Sequence, residues 1–268
     1  GWRLETPAVL RLMEKLHSRG RPLGEFVNGQ FYRGITTGLN EAFVVDQSTC
    51  DRLIAEHSSS ARLLRPFLRG RDIERWRVRY DNQYLIKIES SENKTHGWSG
   101  MSKSDAEAVF AATYPAIHGH LLQSRDALIA RDDQGHYFWE LRSCTYWHEF
   151  ERHKIVSTKV SKRPTFAFDN DGYFFGNTSY FKGTETNPLF ILGLLNSNVS
   201  FYYARKVFVG KQNSWYEVQP VALEAFPLPP YDDTQMIDGL VKAILAAKAE
   251  NLAADVRALE AEIDQRVY

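Results

Sequence analysis

KIVSTKVSKRPTFAFDNDGYFFGNTSYFK, residues 154–182, decides the fold class. Its β-branched and aromatic residues read as strands over 154–168, and 174–182 reads as a further hairpin arm. Toward the N-terminus, YFWELRSCTY at 137–146 alternates as a strand does, which predicts Trp139 and Leu141 in the core and Glu140 or Arg142 bonding across the sheet. Leu85, Ile86 and Ile88 mark another strand. Residues 26–46 read as short strands, FVNGQFYRG and AFVVD, around a turn at TTGLN that Thr37 and Asn40 shape through side-chain to backbone bonding.

Helices fill the intervals. Residues 7–17 carry Val9, Leu10, Leu12, Met13 and Leu16 at helical spacing before Gly20 and Pro22. Residues 51–56 form a helical turn, and 89–104 is a polar loop. Ser104, with Glu107 at capping-box spacing, leads into AVFAATYPAIHGHLLQSRDALIAR, and 188–196 and 200–205 are helical. After PLPPY at 227–231, Ile237, Leu240, Val241, Ile244 and Leu245, then Leu252, Val256, Leu259, Ile263 and Val267, predict a long amphipathic helix or a helical hairpin. The expected architecture is α+β: a twisted mixed β-sheet body with packed helices, then the C-terminal helical segment.

The chain has 268 residues, 43% hydrophobic, enough for a sizeable core. No window approaches the roughly 18 apolar residues of a membrane span, and no signal-peptide layout opens the chain. A cytoplasmic protein is expected, with Cys50 and Cys144 as ordinary buried thiols.

Thirty-three Lys and Arg balance 33 Asp and Glu, but unevenly. Residues 61–79 hold seven arginines against Asp72 and Glu74, and 152–163 hold five basic residues and no acid. Residues 231–268 reverse the sign. A basic body and an acidic tail suit a protein with one phosphate-facing surface, or charge solvated on several faces.

Motifs for chemistry fail in turn. The glycine-rich turn for S-adenosylmethionine and the Asn/Asp-Pro-Pro-Tyr/Phe grip on a flipped adenine are both missing, since leucine precedes the Pro-Pro pair of LPPYDD. His148 and His153 of WHEFERH stand five apart, about 100° beyond the i, i+4 spacing that shares a zinc. His118 and His120 lack a third ligand nearby. Asp81 with Glu92-Asn93-Lys94 meets a loose nuclease pattern on a loop too pliant for magnesium. No GxSxG elbow appears. No catalytic or metal residue is assigned.

Four stretches, in order, resemble the TaqI-like C-terminal specificity domain of adenine-specific DNA methyltransferases from restriction-modification and related phage-defence systems. They are GITTGLNEAFVVD (34–46), LLRPFLRGRDIERWRVRYDNQYLIKI (63–88), the segment from YPAIHGH to HKIV (114–156), and FILGLLNSNVSFYY (190–203). FVGKQNSWYEVQPVALEAFPLPPYDDTQ also resembles the close of a recognition domain in type I restriction specificity subunits, and LEAEIDQRVY the last helix of these methyltransferases. The resemblance implies a lead-in from an N-terminal methyltransferase domain at 1–24, a target-recognition domain at 25–230 and a C-terminal helical segment at 231–268. It implies double-stranded DNA as partner, no cofactor in this piece, and S-adenosylmethionine in the catalytic domain.

Base edges are read by cationic and amide side chains on loops. Lys159, Lys162 and Arg163 at one strand–loop junction, and Lys211, Gln212, Asn213 and Trp215 in a polar-aromatic loop, are the candidates for base or near-base contact. Arg69 and Arg71, flanking Gly70, are candidates for phosphate; the alternative is internal scaffolding, with Arg71 paired to Asp72 or Glu74. A second reading is an interaction module whose C-terminal helix docks partner subunits.

Overall fold

The computed structural model describes residues 5–28, 30–176, 179–181, 187–229 and 234–267. Its central layer is a five-stranded sheet in which Phe31–Arg33, Ser179–Phe181, Lys154–Ser157 and Phe166–Asp169 pair antiparallel in that order, and Trp76–Arg77 adds parallel to the last. Alternate side chains of a strand face opposite ways, and both faces here are covered. Val156 and Ala167 enter one core, Ile155 and Phe166 the other.

The first core lies against a four-stranded sheet, Phe174–Phe175, Leu64–Leu68, Gln83–Ile86 and Val44–Asp46, with the helices Gln47–Glu56, Lys103–Thr113 and Pro115–Leu122. Asp46 starts the first of these helices by accepting from the Thr49 amide at 2.8 Å. The helix read from Ser104 begins two residues earlier, at Ser102, whose hydroxyl accepts from the Asp105 amide. It is interrupted before Pro115, because proline cannot donate to the preceding turn. In the turn at 37–40, the Thr37 hydroxyl donates to Asn40 Oδ1 at 2.7 Å and accepts from the Leu39 amide at 3.2 Å. His120 Nε2 lies 3.1 Å from the Ala42 carbonyl.

Burial pushes the His120 pKa below its ordinary 6.5, so the folded protein holds the neutral ring and the unfolded chain binds the extra proton. Its contribution is therefore complete above about pH 6.5 and is lost as pH falls through the lowered value. The urea midpoint of wild type minus that of His120→Gln is expected to rise with pH below that point and to level off above it. A difference that stays flat from pH 4 to 8 refutes this.

The second core is helical. Pro188–Asn196, nearly all buried, packs on the C-terminal pair Thr234–Glu250 and Arg257–Val267 and on Asn198–Val207, which Ser197 caps. A Cβ on Gly193 would stand 2.8 Å from Ile237 and 2.9 Å from Val241, so glycine sets the approach of the two helices. The apolar stripe of the C-terminal hairpin is spent here: Ile237, Val241, Ile244 and Ile263 are buried. The N-terminal helix Pro7–Arg19, capped by Thr6, flanks the same core through Met13 and Leu16. Leu23 and Val27 are buried in it, and Arg21–Pro22 pairs with Pro227–Leu228. Pro230 and Tyr231 of the proline-rich break lie outside the described residues.

Two expected strands take other forms. Residues 137–146 contain no strand; the segment wraps around Glu140, and Trp139 and Leu141 are buried without a backbone ladder. Both Glu140 oxygens collect donors from nearby loops instead of bridging a sheet. The arm at 174–182 is divided: Phe174–Phe175 runs parallel to Phe67–Leu68 in one sheet, and Ser179–Phe181 joins the other. Asn177, Thr178 and Lys182 lie outside the described residues.

Candidate nucleic-acid interface

A small third sheet stands on the surface beside the second core. Val209–Lys211 and Trp215–Glu217 form a hairpin, and Trp215–Glu217 pairs in turn with Val160–Ser161. Gln212–Ser214 makes the tip, where Asn213 (φ 57°) and Ser214 (φ 61°) take left-handed backbone that asparagine tolerates better than most residues. The two loops singled out in the sequence thus meet. Register pairs Tyr216 with Ser161 and Glu217 with Val160, and Trp215 with Lys211; Lys162 directly follows the paired Ser161.

Tyr216 turns inward and meets the Phe201 ring edge-on. Strand alternation then places Val209, Lys211, Trp215, Glu217 and Val160 on the outward face. Val209, Trp215 and Val160 are 45%, 39% and 40% exposed. Lys211 Nζ lies 2.7 Å from Glu217, and that contact holds the Glu217 carboxyl below the usual range, with Lys159 and Arg33 adding to the effect. Lys159, Lys162, Gln212 and Asn213 are exposed. Arg33, on the edge strand of the central sheet, was not singled out in the sequence; no local pattern ties it to residues 159 or 217, and only the fold brings it near.

The arginines behave differently. Arg163 turns inward: it donates to the Asn196 carbonyl at 3.1 Å, its guanidinium stands 4.9 Å from the Phe201 ring, and burial lowers its pKa. Arg69 bonds Asp72 and Asp81, and its own backbone amide also donates to Asp72. Arg71 is well exposed, its Nε 4.0 Å from Asp72. Arg75 reaches Glu260 and the Asn196 carbonyl, Arg77 the Lys248 carbonyl, and Arg79 pairs with Glu74. Much of the arginine run thus binds the chain to itself, and the acidic tail answers part of the basic body through Glu260 on Arg75, while Asp264 accepts from the Asn198 backbone and side chain.

Elsewhere, the groups weighed for chemistry are engaged structurally. Asp81 pairs with Arg69, Lys94 with Glu89, and Asn93 accepts from Ser143 and from the Cys144 amide. His118 pairs with Glu107. No helix among the described residues is long and apolar enough to cross a membrane.

Residues 65–228 match the family described as the TaqI-like C-terminal specificity domain. The chain belongs to that family. This specificity domain is also similar in structure to a type IIL restriction-modification enzyme, MmeI, described in complex with DNA, with a TM-score of 0.58 and 15% identity over 92% of this chain and 33% of that one. It thus spans about a third of that enzyme's length, and the likeness is one of fold. A type IIG restriction endonuclease, BpuSI, aligns with a TM-score of 0.41 at 12% identity over 96% of this chain and 32% of that one. No curated protein matches the specificity domain.

Proposed function

We propose that the chain recognises a sequence in double-stranded DNA, as the specificity domain of an adenine-specific, S-adenosylmethionine-dependent DNA methyltransferase of a restriction-modification system. The observation that carries this reading is the convergence of Lys159, Lys162 and the loop from Lys211 to Trp215 on one outward sheet, with Arg33 beside it. Lysines neutralise phosphates and steer encounter, while Gln212 and Asn213 at the tip supply amides of the kind that pair with adenine edges. Arg71 is the further phosphate candidate; Arg69 and Arg163 act by fixing the turns that carry their neighbours. In this reading methyl transfer belongs to a catalytic domain of the parent protein, and the chain itself carries out no reaction. Family membership and the shared fold with a DNA-bound restriction-modification enzyme support the assignment.

Duplex affinity is expected to fall steeply with salt, and Lys162→Ala and Lys211→Ala each to lower the slope of log K against log salt by about 1. The check is fluorescence anisotropy at several salt concentrations, with shuffled duplex as competitor. Unchanged slopes in both variants, or equal binding of every duplex, refute the assignment.

A further inference from the structure

The outward face of the small sheet carries more than charge. Val209, Trp215 and Val160 leave apolar surface in water on the same side as Lys211. A surface that met only phosphates would gain nothing from β-branched side chains held there. Glu217 lies on the middle strand between the two valines and pairs with Lys211 from the strand of Val209, with Lys159 and Arg33 close to Glu217. A partner for this face is therefore polyanionic at its margins and apolar within.

Duplex DNA presents one apolar group in a groove flanked by phosphates: the C5-methyl of thymine, which lies in the major groove. The three short strands span two strand spacings, about 9.6 Å, which the major groove, about 12 Å wide, admits and the minor groove, about 6 Å wide, does not. Val209 and Val160 lie on the two outer strands of this sheet, on either side of Glu217 and in its row. Adjacent strands stand about 4.8 Å apart, so the two valines, on either side of the Glu217 strand, stand about 9.6 Å apart and reach different base pairs.

We propose that Val209 and Val160 pack on thymine methyl groups in the major groove, so that the recognised sequence contains thymine at the positions they meet. This rests on the duplex-reading proposal above and adds to it a base identity and a groove.

The test uses the 268-residue chain and a randomised duplex pool, from which bound sequences are enriched. The enriched duplex is then made with deoxyuridine in place of each thymine, which removes only the methyl. Replacement at one or two positions is expected to weaken binding about fourfold, the ratio that one buried methyl corresponds to. The Val160→Ala/Val209→Ala variant should bind the thymine and uracil duplexes alike while keeping the wild-type salt slope and thermal midpoint. Enrichment with no loss on any uracil replacement overturns the methyl contact and leaves duplex reading standing. No enrichment at all overturns both. Sedimentation showing that the chain self-associates and that the double variant dissociates it assigns the face to a second copy and overturns the inference.

Discussion

Replacing Lys154 with methionine is expected to lower the unfolding free energy by about 3–5 kcal/mol, the usual cost of stranding one member of a buried ion pair. Lys154 and Asp169 face each other across two central strands and are 1% and 0% exposed. Lys154 Nζ meets Asp169 and donates to the Phe150 carbonyl at 2.6 Å and the Arg152 carbonyl at 3.3 Å. Asp169 also accepts from the amides of Asp171, Gly172 and Tyr173, each at 3.0 Å, and so closes the turn between two strands. Burial pushes the Asp169 carboxyl up and the Lys154 ammonium down, and their mutual contact, with the amides on Asp169, opposes both shifts.

Without the lysine, Asp169 holds a proton that it loses in the unfolded chain. A raised folded pKa gives stability that falls as pH rises past the ordinary aspartate value of 3.8, so the deficit of the variant should shrink toward acid pH. Urea titrations of wild type, Lys154→Met, and Lys154→Met/Asp169→Leu close the argument. The double variant should recover part of the loss, because it removes the stranded carboxyl. A single variant within about 1 kcal/mol of wild type, the size of an exposed pair, refutes the account.

The second large effect is expected at Glu140. Its carboxylate is fully buried and accepts five hydrogen bonds: Ser91 N (3.0 Å), His136 N (2.9 Å) and Tyr137 N (3.3 Å) on Oε2, Ser91 Oγ (2.5 Å) and Trp98 Nε1 (2.9 Å) on Oε1. Five donors converge on a group that can only accept. Glutamine keeps the shape but turns an amide N–H₂ toward at least two of them, and each buried donor left unpaired costs about 1–3 kcal/mol. Glu140→Gln should therefore destabilise by about 3 kcal/mol or more, with faster hydrogen exchange at the Ser91, His136 and Tyr137 amides. The same crowding requires glycine at 135, where a Cβ would stand 2.6 Å from the Glu140 Cβ. Gly135→Ala should produce the same exchange pattern. Unchanged protection in either variant refutes the role given to Glu140.

These two sites show where the sequence was readable. The strands at 154–157 and 166–169 announce themselves because Ile155, Val156, Phe166 and Phe168 are residues that a pleated layer favours, and the period of two is honoured on both faces. At 137–146 the same alternation misleads. Trp139 and Leu141 report burial truthfully, yet the nearby amides of His136 and Tyr137 bond the Glu140 side chain and that of Leu141 a loop carbonyl at Ile88, which periodicity does not register. The arginine run has the composition of a phosphate stripe, but Glu260, Lys248 and Asp81 claim its members, and two of those partners lie more than 170 residues downstream. The segments 159–163 and 211–215 were legible singly, as a strand–loop junction and a polar-aromatic loop. That they share a sheet was not, since nothing in residues 160–161 names residues 216–217 as partners.

Trp76 is a bulky residue at φ +84°, a conformation that L side chains seldom take. It is kept there by parallel pairing to Ala167 and by its indole N–H on Glu260. On the ribosome, Glu260 follows Trp76 by 184 residues, roughly 10–40 s of synthesis at about 5–20 residues per second. For that interval the nascent chain carries an edge strand whose clamp has not yet been translated. Its half-built core is then open to chaperones and to misassembly with neighbouring polypeptides, and the helix that carries Glu260 is the one that ends the exposure.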